Sequence, residues 1–298
     1  SWGSNPCTAA MVGRATCGFR PILLPQPPMT SLLPDLSHVG RISECIGTLR
    51  EVSSPVVMSV SEAIQGDRDA QSPGGLPLSG TGWRESLAAV VLPGSFNPLH
   101  TAHLHLLIEA LRSVPRAAGS PPPVAALSLS VRTIDKAQPT GMALEDRAWT
   151  MYATLAATTL ERCPVALLAS HGLYLDQAIA LRNAMPELNT DGLWFAIGHD
   201  KAVQIFDARY YDDRDTALEE LFRLAGLLVA PRAGGTAADL LELMDLPGNR
   251  RFAGSVRPIL FPSHLADVSS TAFRAGSLRT VALPAPVAAM IEARRCYG

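Results

Sequence analysis

The chain has 298 residues, of which 47% are hydrophobic and 17% charged; that is enough for a sizeable core and too apolar for disorder throughout. With 25 basic against 27 acidic residues, no global basic field points to a nucleic-acid polymer, and no apolar run approaches about 18 residues, so no membrane-spanning helix is expected. The five cysteines (Cys7, Cys17, Cys45, Cys163, Cys296) form no CxxC pair, fit neither a disulfide framework nor a zinc site, and suggest a reducing compartment.

Residues 1–86 read as a Pro/Gly/Ser-rich, poorly structured extension. Pro21, Pro25, Pro27, Pro28 and Pro34 break its first part, and QSPGGLPLSGTG closes it as a linker; residues 39–64 have room for a short helix or two. No acid precedes Asp35, so residues 1–34 resemble an organelle transit segment, against a cytoplasmic default; only Arg14 and Arg20 supply its basic character. From residue 87 the pattern sharpens. Apolar runs predict strands over 87–94, 124–131, 164–170, 193–198, 224–231 and 256–262. Amphipathic stretches predict helices over 101–114, 143–160, 216–224 and 285–296, with another beginning near Ser270. In the first of these, Leu104, Leu107, Ile108 and Leu111 are expected on one face; Trp149 is expected in the core. Strands alternating with helices predict an α/β fold over 87–298, a Rossmann-like doubly wound parallel sheet. Ligands in such sheets bind beyond the carboxyl ends of the strands, which directs attention to the loops after the first, fourth and sixth strands.

The first of these loops is Gly94-Ser95-Phe96-Asn97-Pro98-Leu99-His100-Thr101-Ala102-His103. Gly94 and Ser95 let the backbone approach a ligand, and histidines at i and i+3 place both imidazoles beside the exposed amides of a helix start. Amides and imidazoles together suit a polyanion. There is no Walker GxxxxGK[ST] and no HExxH, so no metal site built by the protein alone is expected.

GSFNPLHTAH resembles the (T/H)xGH signature of the nucleotidylyltransferase superfamily, in the form used by nicotinate and nicotinamide mononucleotide adenylyltransferases. The second signature of that superfamily, ISSTxxR, is matched by Val268-Ser269-Ser270-Thr271-Ala272-Phe273-Arg274. Lys136, followed by a helix bearing Arg147, is similar to the family's lysine after the second strand, and Gly198-His199-Asp200 resembles its GxD turn. IFDARYYDD, at 205–213, is similar to a cytidylyltransferase-like branch. The resemblance implies adenylyl transfer from ATP, with magnesium arriving on the triphosphate, to a nicotinamide or nicotinate mononucleotide. It implies that the Ser95 and Phe96 amides, beside Gly94, hold phosphate or nucleotide, and that His100, His103 and Lys136 meet the phosphates. Ser270 and Thr271 would cradle the β- and γ-phosphates, with Arg274 as a forked clamp, and Ser269 would belong to the same nucleotide-binding set. Gly198 and Asp200 would contact the nucleotide; the other reading of Asp200 is a helix cap.

The match has departures. Ala102 stands where the signature carries glycine, His199 stands where the common enzymes carry a small residue, and their tryptophan-bearing segment is absent. His199 is therefore expected to intrude on the cleft. Another acceptor, CTP as donor, a catalytically weak nucleotide-binding module, and a homo-oligomer all stay open. Lys201, His105 and His264 read as surface or packing residues; Tyr210 and Tyr211 read as packing residues, with base stacking the alternative.

Overall fold

The computed structural model describes residues 32–65, 86–116, 119–132, 141–231, 235–265, 268–276 and 283–297. Its strands are β1 (Val57–Ser59), β2 (Ala89–Pro93), β3 (Val124–Ser130), β4 (Val165–Ala169), β5 (Leu193–Gly198), β6 (Gly226–Ala230) and β7 (Val256–Pro258). They form one sheet in the order β1-β4-β3-β2-β5-β6-β7. From β2 onward all pairings are parallel, with Val90 opposite Ala125 and Trp194, while β1 runs antiparallel to β4. The chain winds outward from β2 through β3 to β4, then crosses back to β5 beside β2. That reversal is the switch point of a doubly wound sheet, where a crevice opens at the carboxyl ends.

Strand side chains alternate between two cores, as a period of two requires. Val90, Leu92, Leu127, Leu168, Trp194 and Leu228 face one side. It is covered by α1 (Leu36–Glu51), α2 (Val60–Gln65), α3 (Thr101–Ser113), α4 (Leu144–Ala156) and α10 (Ala285–Arg294). Val91, Ala126, Leu167, Phe195 and Leu227 face the other, beneath α5 (Tyr174–Ala184), α6 (His199–Phe206), α7 (Arg214–Leu224) and α8 (Ala237–Asp245).

Within residues 1–86, the segments α1, β1 and α2 pack into the same body as the sheet. Ile42, Ile46 and Leu49 recur at helical spacing and are buried in the same core as β2 and β3. Asp35 caps α1, its Oδ1 accepting from His38 N–H at 2.8 Å. At the other end Arg132 donates to the carbonyls of Arg50 and Val52 at 2.6 and 2.7 Å. Val56 and Ser170 exchange two hydrogen bonds, both 2.9 Å, that seat β1 on the sheet. Of the expected transit segment only residues 32–34 are described.

Three other expectations shift. The sheet-facing side of α3 carries Ala102, Leu106, Leu107 and Ala110, while Leu104, Ile108 and Leu111 are half-buried; the alanines let the helix approach the strands closely. β7 ends at Pro258, which has no N–H for a further ladder bond; only Ile259 N–H still reaches Val229 O, at 3.0 Å, and Leu260 is 86% exposed. α4 stops at Ala156 rather than 160. Trp149 is in the core as expected, its Nε1–H donating to Leu32 O at 3.1 Å.

Candidate active site at the switch point

β2 delivers the first signature loop and β5 delivers Gly198, so both sequence segments arrive at the crevice between neighbouring strands. Phe96 takes a left-handed backbone, φ +45°, and its fully buried ring folds back over Gly94. A Cβ at Gly94 would come within 2.8 Å of that ring, which accounts for the glycine.

His100 is the N-cap residue of α3 and His103 its third residue. The rings stack on each other, centroids 3.6 Å apart and 23° from parallel. His103 Nδ1 accepts from the His100 backbone N–H at 3.2 Å, so any ring proton of neutral His103 is on Nε2. His100 is 3% exposed, and neither of its ring nitrogens has a hydrogen-bond partner among the described residues. Burial pushes its pKa down to about 4; burial and then the neighbouring His100 hold His103 well below the ordinary range. Both imidazoles are therefore neutral at pH 7 and act as dipoles and donors, not cations.

This carries a stability prediction. An unfolded chain protonates His100 near pH 6.5, whereas the folded site resists protonation until about 4. The contribution is intact above about pH 6.5 and is lost as the pH falls through 4, on the order of 3 kcal/mol in all. Thermal unfolding followed from pH 8 downward should show Tm falling across this window, and falling less in His100→Gln. An equal fall in both proteins refutes the assignment.

The loop carbonyls are held by residues far away in sequence. Arg147 Nη1 donates to Ser95 O at 3.1 Å, Arg274 Nη1 to Asn97 O at 2.7 Å, and Ser270 Oγ to Pro98 O at 2.9 Å. Asn97 Oδ1 accepts from Met142 N–H at 3.1 Å and from the Tyr297 hydroxyl. Among the described residues the Ser95 and Phe96 N–H groups make no hydrogen bond and remain available as donors.

The two signatures thus meet, but part of the second is used differently from expectation. The Ser270 hydroxyl and one arm of Arg274 are committed to the first loop rather than free for phosphate. The other arm of Arg274 reaches Thr271 Oγ1 at 3.2 Å, and Ser269 caps α9 (Ser270–Arg274) by accepting from Ala272 N–H. Thr271 and Ser269 are exposed. Arg147, on α4, was not among the expected site residues, because nothing in the sequence shows that α4 passes behind the loop. It is 3% exposed with no carboxylate within 4.0 Å among the described residues. Burial pulls its pKa down, and the charge of Arg274 adds to that. Two guanidinium groups behind one loop, one of them buried, make a site that favours a polyanion.

Lys136 lies outside the described residues. Gly198 is the N-cap of α6, and a Cβ there would meet nothing within 4 Å, so the space above it is open. The capping role weighed for Asp200 is not found: its exposed side chain makes no cap bond. His199 does not intrude on the cleft. Its ring is 7% exposed, on the face of α6 that carries buried Ala202 and Phe206, and its nitrogens have no partner among the described residues. Ala102 is likewise turned into the core, so its methyl group is absorbed by packing. Lys201 is exposed and donates to Gln204 Oε1; exposed His105 pairs with Thr101 O; Tyr211 donates to Ile205 O, while Tyr210 is exposed.

Two cavities, of about 480 and 400 Å³, open at the amino ends of the strands near Trp194 and Ala125 and touch neither signature. At the signature loop Phe96 and the stacked imidazoles are packed together, and the open space in the crevice lies above Gly198. Among the described residues no group of three His, Cys, Asp or Glu side chains could hold a metal ion.

The cytidylyltransferase-like family model matches residues 91–276. Two solved structures of Plasmodium falciparum nicotinic acid mononucleotide adenylyltransferase are similar to the chain, one complexed with NaAD and the other with APC. Each is 12% identical and covers 70% of this chain; 97% and 96% of their own chains are covered, with TM-scores of 0.48 and 0.46. No curated protein matches the chain in sequence.

Proposed function

The chain belongs to the cytidylyltransferase-like family, and from that premise we propose that it transfers the adenylyl group of ATP to nicotinamide or nicotinate mononucleotide. A phosphate oxygen of the mononucleotide attacks the α-phosphorus in line. A new P–O bond forms, the α–β bridge breaks, and the electron pair leaves with pyrophosphate. The nucleophile is already anionic, so no general base is required, and catalysis rests on positioning and charge stabilisation.

The observation that carries the reading is the loop itself. Its carbonyls are tied down by Arg147, Arg274 and Ser270, while the Ser95 and Phe96 amides make no hydrogen bond among the described residues. Those amides would bind phosphate oxygens in front of two guanidinium groups. His103 would donate from Nε2 to a phosphate oxygen, and His100 would do so once the imidazole stack parts. The hydroxyl of exposed Thr271, and the arm of Arg274 that now rests on it, would meet the outer phosphates. Magnesium would enter with the triphosphate and spread its charge, a role that suits a site without a protein cage; exposed Asp200 is the carboxylate at the crevice that could accept from the ion's water shell.

The test is pyrophosphate release with magnesium and ATP across nicotinamide mononucleotide, nicotinate mononucleotide, phosphopantetheine and no acceptor, with CTP in parallel wells. Release that depends on a pyridine mononucleotide and ATP is expected. Release confined to another well would replace the substrates and keep the chemistry, and silence in every well would overturn the reading.

A further inference from the structure

We infer that Tyr297 is a positioning residue of the phosphate site: acting through Asn97, its hydroxyl sets the first signature loop against the start of α4 and against α9. The inference rests on the proposed reaction for its kinetic readout.

Asn97 is fully buried, so its polar atoms must find partners inside the protein. Three parts of the chain provide them. Met142 N–H and the Tyr297 hydroxyl share its side-chain oxygen, and Arg274 takes its main-chain carbonyl. Met142 leads into α4, which carries Arg147. Asn97 is thus the point at which both signatures and the arginine helix are brought into register, and Tyr297 is the outermost member of that set.

The path of the chain to Tyr297 is well supported. α10 packs on α4, burying Val287 and Met290, and Arg294 pairs with the buried Asp146 of α4 at 3.2 Å. Arg295 then adopts a left-handed backbone, φ +52°, and Cys296 N–H returns to Ile291 O at 3.2 Å. That turn reverses the chain and brings the Tyr297 ring edge-on to Phe273 of α9, centroids 5.5 Å apart. Burial raises the pKa of Tyr297 above its ordinary value, so the hydroxyl remains a donor at physiological pH.

Gly141 is an independent trace of the same arrangement. Its φ is +131°, and a Cβ there would lie 2.5 Å from both Asn97 Oδ1 and the Tyr297 ring. The position is open to glycine alone because the Tyr297–Asn97 contact occupies the space. Among the described residues Tyr297 makes no hydrogen bond to the Ser95 or Phe96 amides and no ring contact with the imidazoles; its effect on them passes through Asn97, with Met142 N–H also donating to the hydroxyl at 3.3 Å.

Tyr297→Phe keeps the ring on Phe273 and removes only the hydroxyl. The expected result is a fall in kcat of about 10- to 100-fold at a nearly unchanged KM for the acceptor, since a misplacement of about 1 Å is felt on that scale. Tm should barely move. Asn97→Ala should lower kcat comparably, and the double variant should be no worse than the more impaired single variant, because both break one connection. Gly141→Ala approaches the contact from the other side and should reproduce the kcat loss. A readout free of turnover is the ring resonances of His100 and His103 in nucleotide-free protein, which should shift in Tyr297→Phe. Unchanged kcat and unchanged ring resonances would overturn the inference, as would fully additive effects of Tyr297→Phe and Asn97→Ala. If the wild-type protein releases no pyrophosphate in any well, the reaction is refuted while the ring resonances still decide the role of Tyr297.

Discussion

His103→Ala is expected to lower kcat for pyrophosphate release by about 10²–10³-fold, the range found when one preorganised donor to a developing charge is removed. His103 is the half-buried partner of the imidazole stack, and its Nδ1 is occupied by the His100 amide, so only Nε2–H is left to donate to a ligand. The loss should fall on kcat more than on KM, because the hydrogen bond strengthens as charge moves onto the phosphate oxygens. Stability should drop by only about 1 kcal/mol, the value of the helix-start hydrogen bond that is lost with the ring. His103→Asn offers a partial replacement and should recover part of the rate. A His103→Ala protein that turns over at the wild-type rate would remove the loop from the active site altogether. Because both imidazoles are already neutral, the wild-type rate should show no limb near pH 6.5 arising from either histidine.

The second large effect concerns stability. Ile46→Ala, in α1, should destabilise the whole chain by about 2–5 kcal/mol, as truncation of a fully buried side chain does. Ile46 is 1% exposed within the core shared by α4 and β4. Urea unfolding followed by tryptophan fluorescence should shift to lower midpoint as a single transition, since the core residue Trp149 reports on the packing of α1 and α4. If residues 36–65 were a dispensable extension, the midpoint would stay where it is, and the placement of α1 against α4 would be wrong.

Much of the sheet was legible because its strands are buried on both faces and read as uninterrupted apolar runs. β5 falls on 193–198 as the pattern predicts, and β2, β3 and β4 differ from expectation by a residue or two at their ends. The room for a short helix or two over 39–64 is taken by most of α1 and by α2, but Gly40 and Gly47 obscure the start and length of α1, and β1 is three residues long, too short for alternation to register. α5 escapes notice because alanine and isolated charges dilute its apolar stripe, and α8 because it is only nine residues long. At the site, the motif residues were legible as chemistry but not as contacts. Nothing in the string Ser-Ser-Thr-Ala-Phe-Arg says that a hydroxyl and a guanidinium will brace carbonyls more than 170 residues away. The burial of His199 was equally out of reach, since it depends on which face of α6 meets the sheet. Tyr297 left no signal of its own; the nearest trace was Gly141, and a glycine reveals what it makes room for only when the neighbour is in view.

The antiparallel strand β1 has a consequence for how the protein behaves among its own copies. β4 is apolar along its whole length, Val-Ala-Leu-Leu-Ala, and without β1 its outer rim would present unpaired amides and carbonyls. Such a rim is a template for adding a strand from another molecule. Three residues of β1 occupy it, and at the opposite rim β7 is cut short by Pro258, which offers no donor. The sheet is therefore closed to lateral growth on both sides by short, inexpensive devices. A chain shortened past Ser59 would leave the β4 rim unprotected and would be prone to aggregate through it.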